Sequence, residues 1–432
     1  MMIRRSRPSR LVRLLSPLRD FLHTEAAGGV LLVIAAAVAL IWANSPWSAS
    51  YHQLWATQAG ISVGGHSFVF DLQHWVNDGL MTVFFLVVGL EIKRELSTGH
   101  LSNRRSATLP IVAALGGMIV PALVYLAIAG RTDARGWGVP MATDIALAIG
   151  VLALLGSRVS AELRVFLLGL AIVDDIGAII IIAAVYSSGV SWTWLLIAAL
   201  GLVLTIATRQ GGVHVTLVYA AIGAAVWFAM YKAGIHPTLA GVVMGLLAPT
   251  VPRITPELID TDDLLDVSSV EQVRITTDLA RSSVSVVEWL QYVLHPWTSY
   301  LIVPVFALAN TGIEISTQSL RDALGSPIAW GILAGLVVGK PLGVVLASRL
   351  ATRVDIAELP AGATARQLLG AGTAAGIGFT VALFIAEEAF VDPARQAYAK
   401  LAILIASIVS AMLAMVVLAG RNAGKSRATN AT

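Results

Sequence analysis

Cysteine is absent from this chain of 432 residues, and charge is scarce. Without thiols, the chain can have no disulfides, thiol catalysis or cysteine-ligated metal centres. Only 13% of the residues are charged, against roughly 25% in a typical soluble domain, while 57% are apolar. This composition excludes a water-soluble fold.

Long apolar runs replace the missing charge. Residues 26–43, 328–348 and 401–419 each approach the length of about 20 residues that a helix needs to cross a bilayer. The same pattern, bounded by glycine, proline and charge clusters, predicts an all-α polytopic membrane protein of about twelve transmembrane helices. The predicted spans lie near 26–44, 72–92, 108–129, 136–156, 162–186, 192–208, 213–230, 234–250, 284–312, 327–349, 364–387 and 396–419.

Basic residues indicate the orientation of these spans. The arginine-rich arm at residues 1–25 and the clusters at 93–94 and 104–105 fall on one side, where the positive-inside rule predicts the cytosol. No small-residue cleavage site ends the apolar stretch after the arm, so we interpret it as cytosolic and not as a removed leader. Both termini are predicted to be cytosolic, around one membrane domain at 26–420.

The remaining segments are simple. We expect a cytosolic loop at 251–283 and a polar cytosolic tail at 421–432. The net charge of +3 is spread between apolar spans and forms no basic, aromatic surface, so the expected partner is the lipid bilayer and not nucleic acid.

Some ionisable residues fall inside predicted spans. A charge at that depth costs several kcal/mol, so each one needs a partner or a function. These residues are Asp78, Asp144, Asp174, Asp175 and Lys340.

Asp174 and Asp175 are adjacent in the middle of one span. Neighbouring residues of a helix point in different directions, so one carboxylate can line a cavity while the other meets a cation on another helix. Desolvation and mutual repulsion favour keeping a proton on at least one of them. A site that releases this proton can take a hard cation in its place, since oxygen ligands suit such ions. No cofactor is expected.

Lys340 is the predicted counter-charge. Apolar, glycine and proline residues flank it on both sides, which argues against a side chain that reaches the interface. Gly335, Gly339 and Gly343 recur at four-residue spacing, which lets another helix approach closely. Close approach is expected to bring Lys340 within reach of Asp174.

Two predicted spans look interrupted. In 136–156, Pro140 and Thr143 precede Asp144, and 364–387 contains the glycine-rich string GAGTAAGIGFT. Unwound backbone at membrane depth is tolerated where it lines a cavity or is buried in protein, although such glycines can also serve packing alone. The breaks fall in the middle of two three-helix groups of opposite orientation, 108–186 and 327–419, which is typical of inverted-repeat transporters.

Several strings in this order resemble the NhaA-type bacterial sodium/proton antiporters: WVNDGLM, GLEIKREL, ATDIALAIG, VDDIGAI, GIHPTLAG, VLHPW, FALANTGI, GKPLG and GIGFT. The resemblance implies an inner-membrane protein that exchanges cytosolic Na⁺ or Li⁺ for external H⁺ by alternating access, for pH and sodium homeostasis. It implies two protons per sodium and hence electrogenic transport. It also implies that Asp175 is the main cation ligand and that Asp174 alternates between Lys340 and proton release. Thr143 and Asp144 are then expected where the two interrupted helices cross.

The resemblance also implies a cytosolic funnel with a pH response. Its candidate residues are Asp78, Glu91, Glu95, His236, Glu288 and His295. The sequence departs from the family pattern at Gln291 and Tyr292, where an acid and a histidine are expected, and Glu288 is the alternative acid. A homodimer is implied too, with a short hairpin predicted at 57–71 as a candidate contact.

Three other functions fit the sequence less well. An intramembrane aspartyl protease needs facing carboxylates and a GxGD-like string, which this sequence lacks. A passive channel needs rings of ligands around a pore, not one buried lysine. A sodium-coupled organic-anion carrier on the same architecture is the nearest alternative, and the lysine beside the acids argues against it.

Overall fold

The computed structural model describes residues 25–63, 66–187, 189–213, 215–251, 284–359 and 364–420. Residues 1–24, 252–283 and 421–432, which carry the predicted arm, loop and tail, lie outside these ranges. The described part is mostly helical, because in lipid every backbone polar group needs a partner within the protein. The helices are α1 (Glu25–Ala43), α2 (Ser48–Trp55), α3 (Leu72–Ser97), α4 (Arg104–Ala129), α5 (Ile145–Leu154), α6 (Ala161–Val185), α7 (Trp192–Gln210), α8 (Thr216–Ala233), α9 (Thr238–Leu247), α10 (Val286–Asn310), α11 (Thr317–Gly325), α12 (Pro327–Arg353), α13 (Ala365–Ala375), α14 (Phe379–Ala389) and α15 (Pro393–Ala419).

The number of membrane spans differs from the prediction. In the described part of the chain, nine helical segments are long and apolar enough to cross a membrane, or up to eleven if each of two bent pairs is one span. The predicted span at 234–250 corresponds to α9, which has only 10 residues. It is short because Gly234, with φ of 76°, ends α8, and His236 and Pro237 form the turn before α9. The predicted count of twelve is therefore not established.

Polar N-caps mark where several helices begin. Ser160 accepts a hydrogen bond from the backbone of Leu163 at the start of α6, and Thr364 forms a capping box with Gln367 at the start of α13. These side chains satisfy backbone N–H groups that a helix leaves without partners in its first turn.

The predicted hairpin at 57–71 is confirmed. Strands β1 (Gln58–Val63) and β2 (His66–Asp71) pair antiparallel, and the two glycines between them lie outside the described residues. Phe68 of β2 packs edge-on against Trp75 of α3 and Trp227 of α8, with ring centroids 5.7 and 6.2 Å apart. We call this side of the molecule the hairpin end.

The predicted close approach of another helix to the glycines of α12 is confirmed, and that helix is α4. A Cβ added to Gly343 would overlap the backbone carbonyl of Gly116, and one added to Gly339 would lie 2.9 Å from the Cα of Pro121. The last turn before Lys340, Gly335–Gly339, is a π-helix. Such turns insert an extra residue and are frequent at functional sites.

Helix α15 lies along both α13 and α14. At one end, the Arg366 side chain of α13 donates to the carbonyl of Val417 at 2.6 Å. Toward the hairpin end, Lys400 forms an ion pair with Glu387 of α14. Helix α15 thus contacts both α13 and α14, the two helices on either side of a break in the chain.

Candidate cation and proton site

Two interrupted segments meet in the middle of the protein. The first interrupted segment is a 3₁₀ turn (Ala134–Met141), an extended stretch at 142–144 and α5. The second is α13, a break at 376–378 and α14, and its two helices are bent by 46°. The backbone N–H of Asp144 donates to the carbonyl of Ile377 at 2.6 Å, so the two breaks are joined directly.

Asp144 caps a helix from each segment. Its Oδ1 accepts from the backbone of Leu147 in α5 at 3.0 Å. Its Oδ2 accepts from the backbone N–H of Thr380 at 3.1 Å and from the Thr380 hydroxyl at 2.6 Å, at the start of α14. One carboxylate therefore faces the positive ends of two helix dipoles.

Lys340 contacts the carbonyl end of the 3₁₀ turn in the first interrupted segment. Its Nζ is 2.6 Å from Oδ2 of Asp174 and donates to the carbonyl of Met141, where the 3₁₀ turn ends. Both side chains are fully buried. The cation thus faces a carbonyl end and a carboxylate, while the anion Asp144 faces N–H ends, as helix electrostatics favour.

Thr143 connects Asp174 to the second segment. Its hydroxyl lies 2.7 Å from Oδ2 of Asp174 and 2.9 Å from the carbonyl of Ala375, the last residue of α13. A hydroxyl has one proton, so it can donate to only one of these acceptors at a time.

Asp175 is next in sequence but has different surroundings. It is 5% exposed, and its Oδ1 is buried without a hydrogen-bond partner in the described part of the chain, as is Oδ1 of Asp174. An unpartnered carboxylate oxygen in a dry site costs free energy unless a proton or a cation satisfies it. The site therefore contains two buried acid oxygens that a proton or a small cation could satisfy, close to the buried Lys340. Among the described residues, no three histidine or acidic side chains converge as in a resident metal site.

Comparisons with known proteins identify the family of this chain. The profile of the family Na+/H+ antiporter 1 matches residues 19–418. The chain belongs to this family. It is 49% identical to Na(+)/H(+) antiporter NhaA 2 of Myxococcus xanthus over 93% of this chain and 88% of that protein, and 45% identical to Na(+)/H(+) antiporter NhaA of Rhodopirellula baltica over 93% of each. A solved structure, the sodium proton antiporter MjNhaP1 from Methanocaldococcus jannaschii, aligns with 96% of this chain at a TM-score of 0.49 and 12% identity.

Family membership and the apolar helices together establish a multi-pass membrane protein of the Na+/H+ antiporter 1 family. The predicted resemblance to this class of transporter is confirmed. The roles of individual residues stay predictions, and the structure shows where each one lies.

The six candidates for the cytosolic funnel do not form one group in this antiporter. Asp78 pairs with His74 at 3.1 Å, and the turn before α9 brings His236 within 2.9 Å of Glu388. Both pairs lie toward the hairpin end, since α9 runs beside α3 with Gly241 against the backbone of Thr82.

Glu91 and Glu95 lie near the other end of α3. Asp78 and Glu95 are 17 positions apart, which is about 25 Å along a helix. Val287, one residue before Glu288, packs with Leu90 at that same end. Asp78 and His236 thus lie at the end of α3 opposite to Glu91, Glu95 and Glu288, and the roles of all six residues in a cytosolic funnel or a pH response stay predictions.

The region that departs from the family pattern lies on α10. Glu288 is exposed and accepts a hydrogen bond from the N-cap Ser285 at 3.0 Å, while His295 is exposed. Gln291 is buried at 9% exposure, and its Oε1 has no partner among the described residues; Tyr292 is 83% exposed. Of these four residues, only Gln291 faces the protein interior.

Sequence reasoning missed part of the site. Thr380 was not singled out, although it gives Asp144 two of its hydrogen bonds. The carbonyls of Met141, Ala375 and Ile377 were also missed, because every residue carries one. A hydroxyl residue in the first turn of the helix after a glycine-rich break was the signal that could have identified Thr380.

Proposed function

We propose that the protein is an electrogenic secondary antiporter that exchanges cytosolic Na⁺ or Li⁺ for external H⁺. The observation that carries the proposal is the pair of buried Oδ1 atoms of Asp174 and Asp175, which have no hydrogen-bond partner in the described ranges, beside the buried Lys340. Hard monovalent cations prefer oxygen ligands, and carboxylates also bind protons. The same two acids can therefore serve both substrates in turn.

Competition at these acids is the basis of exchange. With protons bound, Asp175 is neutral and Lys340 holds Asp174. When Na⁺ enters, it takes Asp175 as its main ligand and displaces Lys340 from Asp174, with Thr143 as a further oxygen ligand. Displaced into a dry site, the ammonium loses its proton, because burial disfavours an unpaired charge. Sodium and protons are then mutually exclusive, as exchange requires.

The direction and energetics follow from this scheme. If two protons enter for each Na⁺ that leaves, one net charge moves per cycle, which is worth about 2.3 kcal/mol per 100 mV of membrane potential. The proton gradient and the potential both drive sodium out. The role is pH and sodium homeostasis, with no cofactor beyond the transported ions.

We place the protein in a bacterial inner membrane with both termini cytosolic, which puts the hairpin end outside. In that orientation Glu91, Glu95 and Glu288 lie toward the cytosol. A homodimer with β1 and β2 as the contact fits the position of the hairpin, a short sheet with two free edges.

The deciding experiment uses everted vesicles from a host without its own antiporters, with a dye that reports the pH gradient. NaCl or LiCl, but not KCl, should collapse the gradient, and Asp175→Asn should abolish the response. Asp322→Asn, an exposed carboxylate on α11, is the matched control and should transport normally. Because the ligands compete, the apparent sodium affinity should weaken as pH falls.

Two outcomes oppose the proposal. No cation-dependent collapse at any pH, in protein shown to be inserted and folded, rules out exchange and directs the search to sodium-coupled solute uptake. A sodium affinity that stays constant over several pH units rules out competition at shared carboxylates.

A further inference from the structure

Two serines of α15 face the break of the second interrupted segment. Ser407 and Ser410 are three residues apart, so they lie on the same face of the helix, and they are 5% and 0% exposed. The proposed function gives them no role.

Ser407 has a structural role in this conformation. Its Oγ accepts a hydrogen bond from the backbone N–H of Phe379 at 3.3 Å. Phe379 is the first residue of α14, so this N–H has no partner within its own helix. Ser407 thus holds the start of α14, one residue before Thr380 binds Asp144.

Ser410 makes no side-chain hydrogen bond to the described residues in this conformation. Its Oγ is buried without a partner among the described residues and lies 2.9 Å from the position that a Cβ on Gly376 would occupy. The last turn of α13 is where helix carbonyls lack partners within the helix. In this conformation the carbonyls of Thr373 and Ala374 accept from the N–H groups of Gly376 and Ile377. A buried hydroxyl close to Gly376 can therefore gain a partner there only in a second arrangement of the break.

The cation site is coupled to this turn. The Thr143 hydroxyl chooses between Asp174 and the carbonyl of Ala375, one residue before Gly376. When a cation occupies the Asp174 oxygen, the hydroxyl turns to Ala375 and changes the hydrogen bonding at the end of α13. The loading of the site therefore reaches the residues that Ser410 faces.

We propose that Ser407 and Ser410 are positioning residues for cation exchange: Ser407 holds the start of α14 in this conformation, and Ser410 bonds the end of α13 in the conformation that opens to the other side. The assignment of Ser410 rests on the proposed function. Helix α15 can perform this task because it contacts α13 through Arg366 and α14 through Lys400.

Exchange in proteoliposomes tests Ser410. Ser410→Ala should lower kcat about fivefold, which corresponds to one hydrogen bond, with KM for sodium changed less than about twofold. Ser410→Thr, which keeps the hydroxyl, should restore kcat. Ser348→Ala is the control, because Ser348 is equally buried and unpartnered but lies on α12, eight residues beyond Lys340. Normal kcat in Ser410→Ala, an equal loss in Ser348→Ala, or no rescue by threonine would each overturn the proposal.

Amide hydrogen exchange of the purified protein gives a readout that does not depend on transport. Ser407→Ala should speed exchange at Phe379 about tenfold, since its N–H loses its acceptor. In the unaltered protein, exchange across 373–380 should change when sodium is added at alkaline pH, and Ser410→Ala should reduce that change. Unaltered protection of Phe379 in Ser407→Ala contradicts the first half of the proposal. A break that behaves identically with and without sodium, at acid and alkaline pH, has no second conformation for Ser410 and contradicts the second half, whether or not the vesicle assay shows exchange.

Discussion

The two interrupted segments contribute to the same crossing in different ways. The first supplies side chains with chemistry of their own, Thr143 and Asp144, on an extended stretch of backbone. The second supplies mainly backbone, the carbonyls of Ala375 and Ile377 and the N–H of Thr380. The two segments thus differ in the chemistry that they contribute.

One glycine in each segment differs in the space around it. Among the described residues, no atom beyond its own helix lies within 4 Å of a Cβ added to Gly150, in α5 of the first segment. At Gly376 in the second segment, an added Cβ would lie 2.5 Å from the carbonyl of Leu336 and 2.9 Å from Oγ of Ser410. Tight space also occurs in the first segment, since a Cβ added to Gly136 would overlap the hydroxyl of Tyr125. The difference therefore concerns these positions and not the segments as wholes.

The largest effect is expected from Lys340→Met. This change removes the cation that contacts Met141 at the end of the 3₁₀ turn, and it leaves the buried Asp174 carboxylate without its ion-pair partner. The free energy of unfolding, measured by SDS titration, should fall by about 3–5 kcal/mol at pH 8. The loss should shrink toward pH 5, because the unpaired carboxylate takes up a proton there and no longer carries a buried charge.

The double variant Asp174→Asn with Lys340→Met is its control. It removes both charges, so most of the stability should return while exchange stays lost. A double variant as unstable as the single one would mean that Lys340 stabilises the fold through Met141 and not through Asp174.

An intermediate effect should separate the two segments directly. Asp144→Ala removes three hydrogen bonds and the charge facing two helix ends, so we expect a loss of about 2–3 kcal/mol in the same titration. Thr380→Val removes one hydroxyl and leaves the backbone N–H bond, for a loss of about 1 kcal/mol. Equal losses would show that the second segment depends on its side chain as much as the first.

The smallest effect concerns glycine. Gly376→Ala should destabilise by about 1–2 kcal/mol through overpacking. Gly150→Ala has room and should be neutral or stabilise by up to about 1 kcal/mol, since alanine favours a helix. Thermal unfolding of the two purified variants measures both. A destabilised Gly150→Ala would contradict the difference between these two positions.

The sequence predicted those parts of the site that involve charge. Asp174, Asp175, Lys340 and Asp144 stand out because ionised groups are costly in a bilayer, and the expected contact of Asp174 with Lys340 is present. The hairpin, the close approach of α4 and α12, and the break in 364–387 also followed from local pattern.

The remaining parts of the site are backbone groups and common small residues, which no distinctive residue type reveals. Backbone carbonyls become ligands only through their position, and Ser407 or Ser410 resembles any small residue on a packed membrane helix. Helices α2 and α11 were not predicted, because they have only 8 and 9 residues and differ little from loops in composition. The helix in the predicted span at 234–250 is shorter than expected, because Gly234 has a left-handed backbone conformation that hydropathy does not reveal.

The contact of Gly116 with Gly343 has an electrical consequence. Because the two backbones touch there, we expect α4 and α12 to move together in any conformational change. Lys340, three residues from that contact, should then move with both helices. Its charge would cross the membrane field only as far as this helix pair moves, and the rest of the voltage dependence would come from the ions that bind and leave.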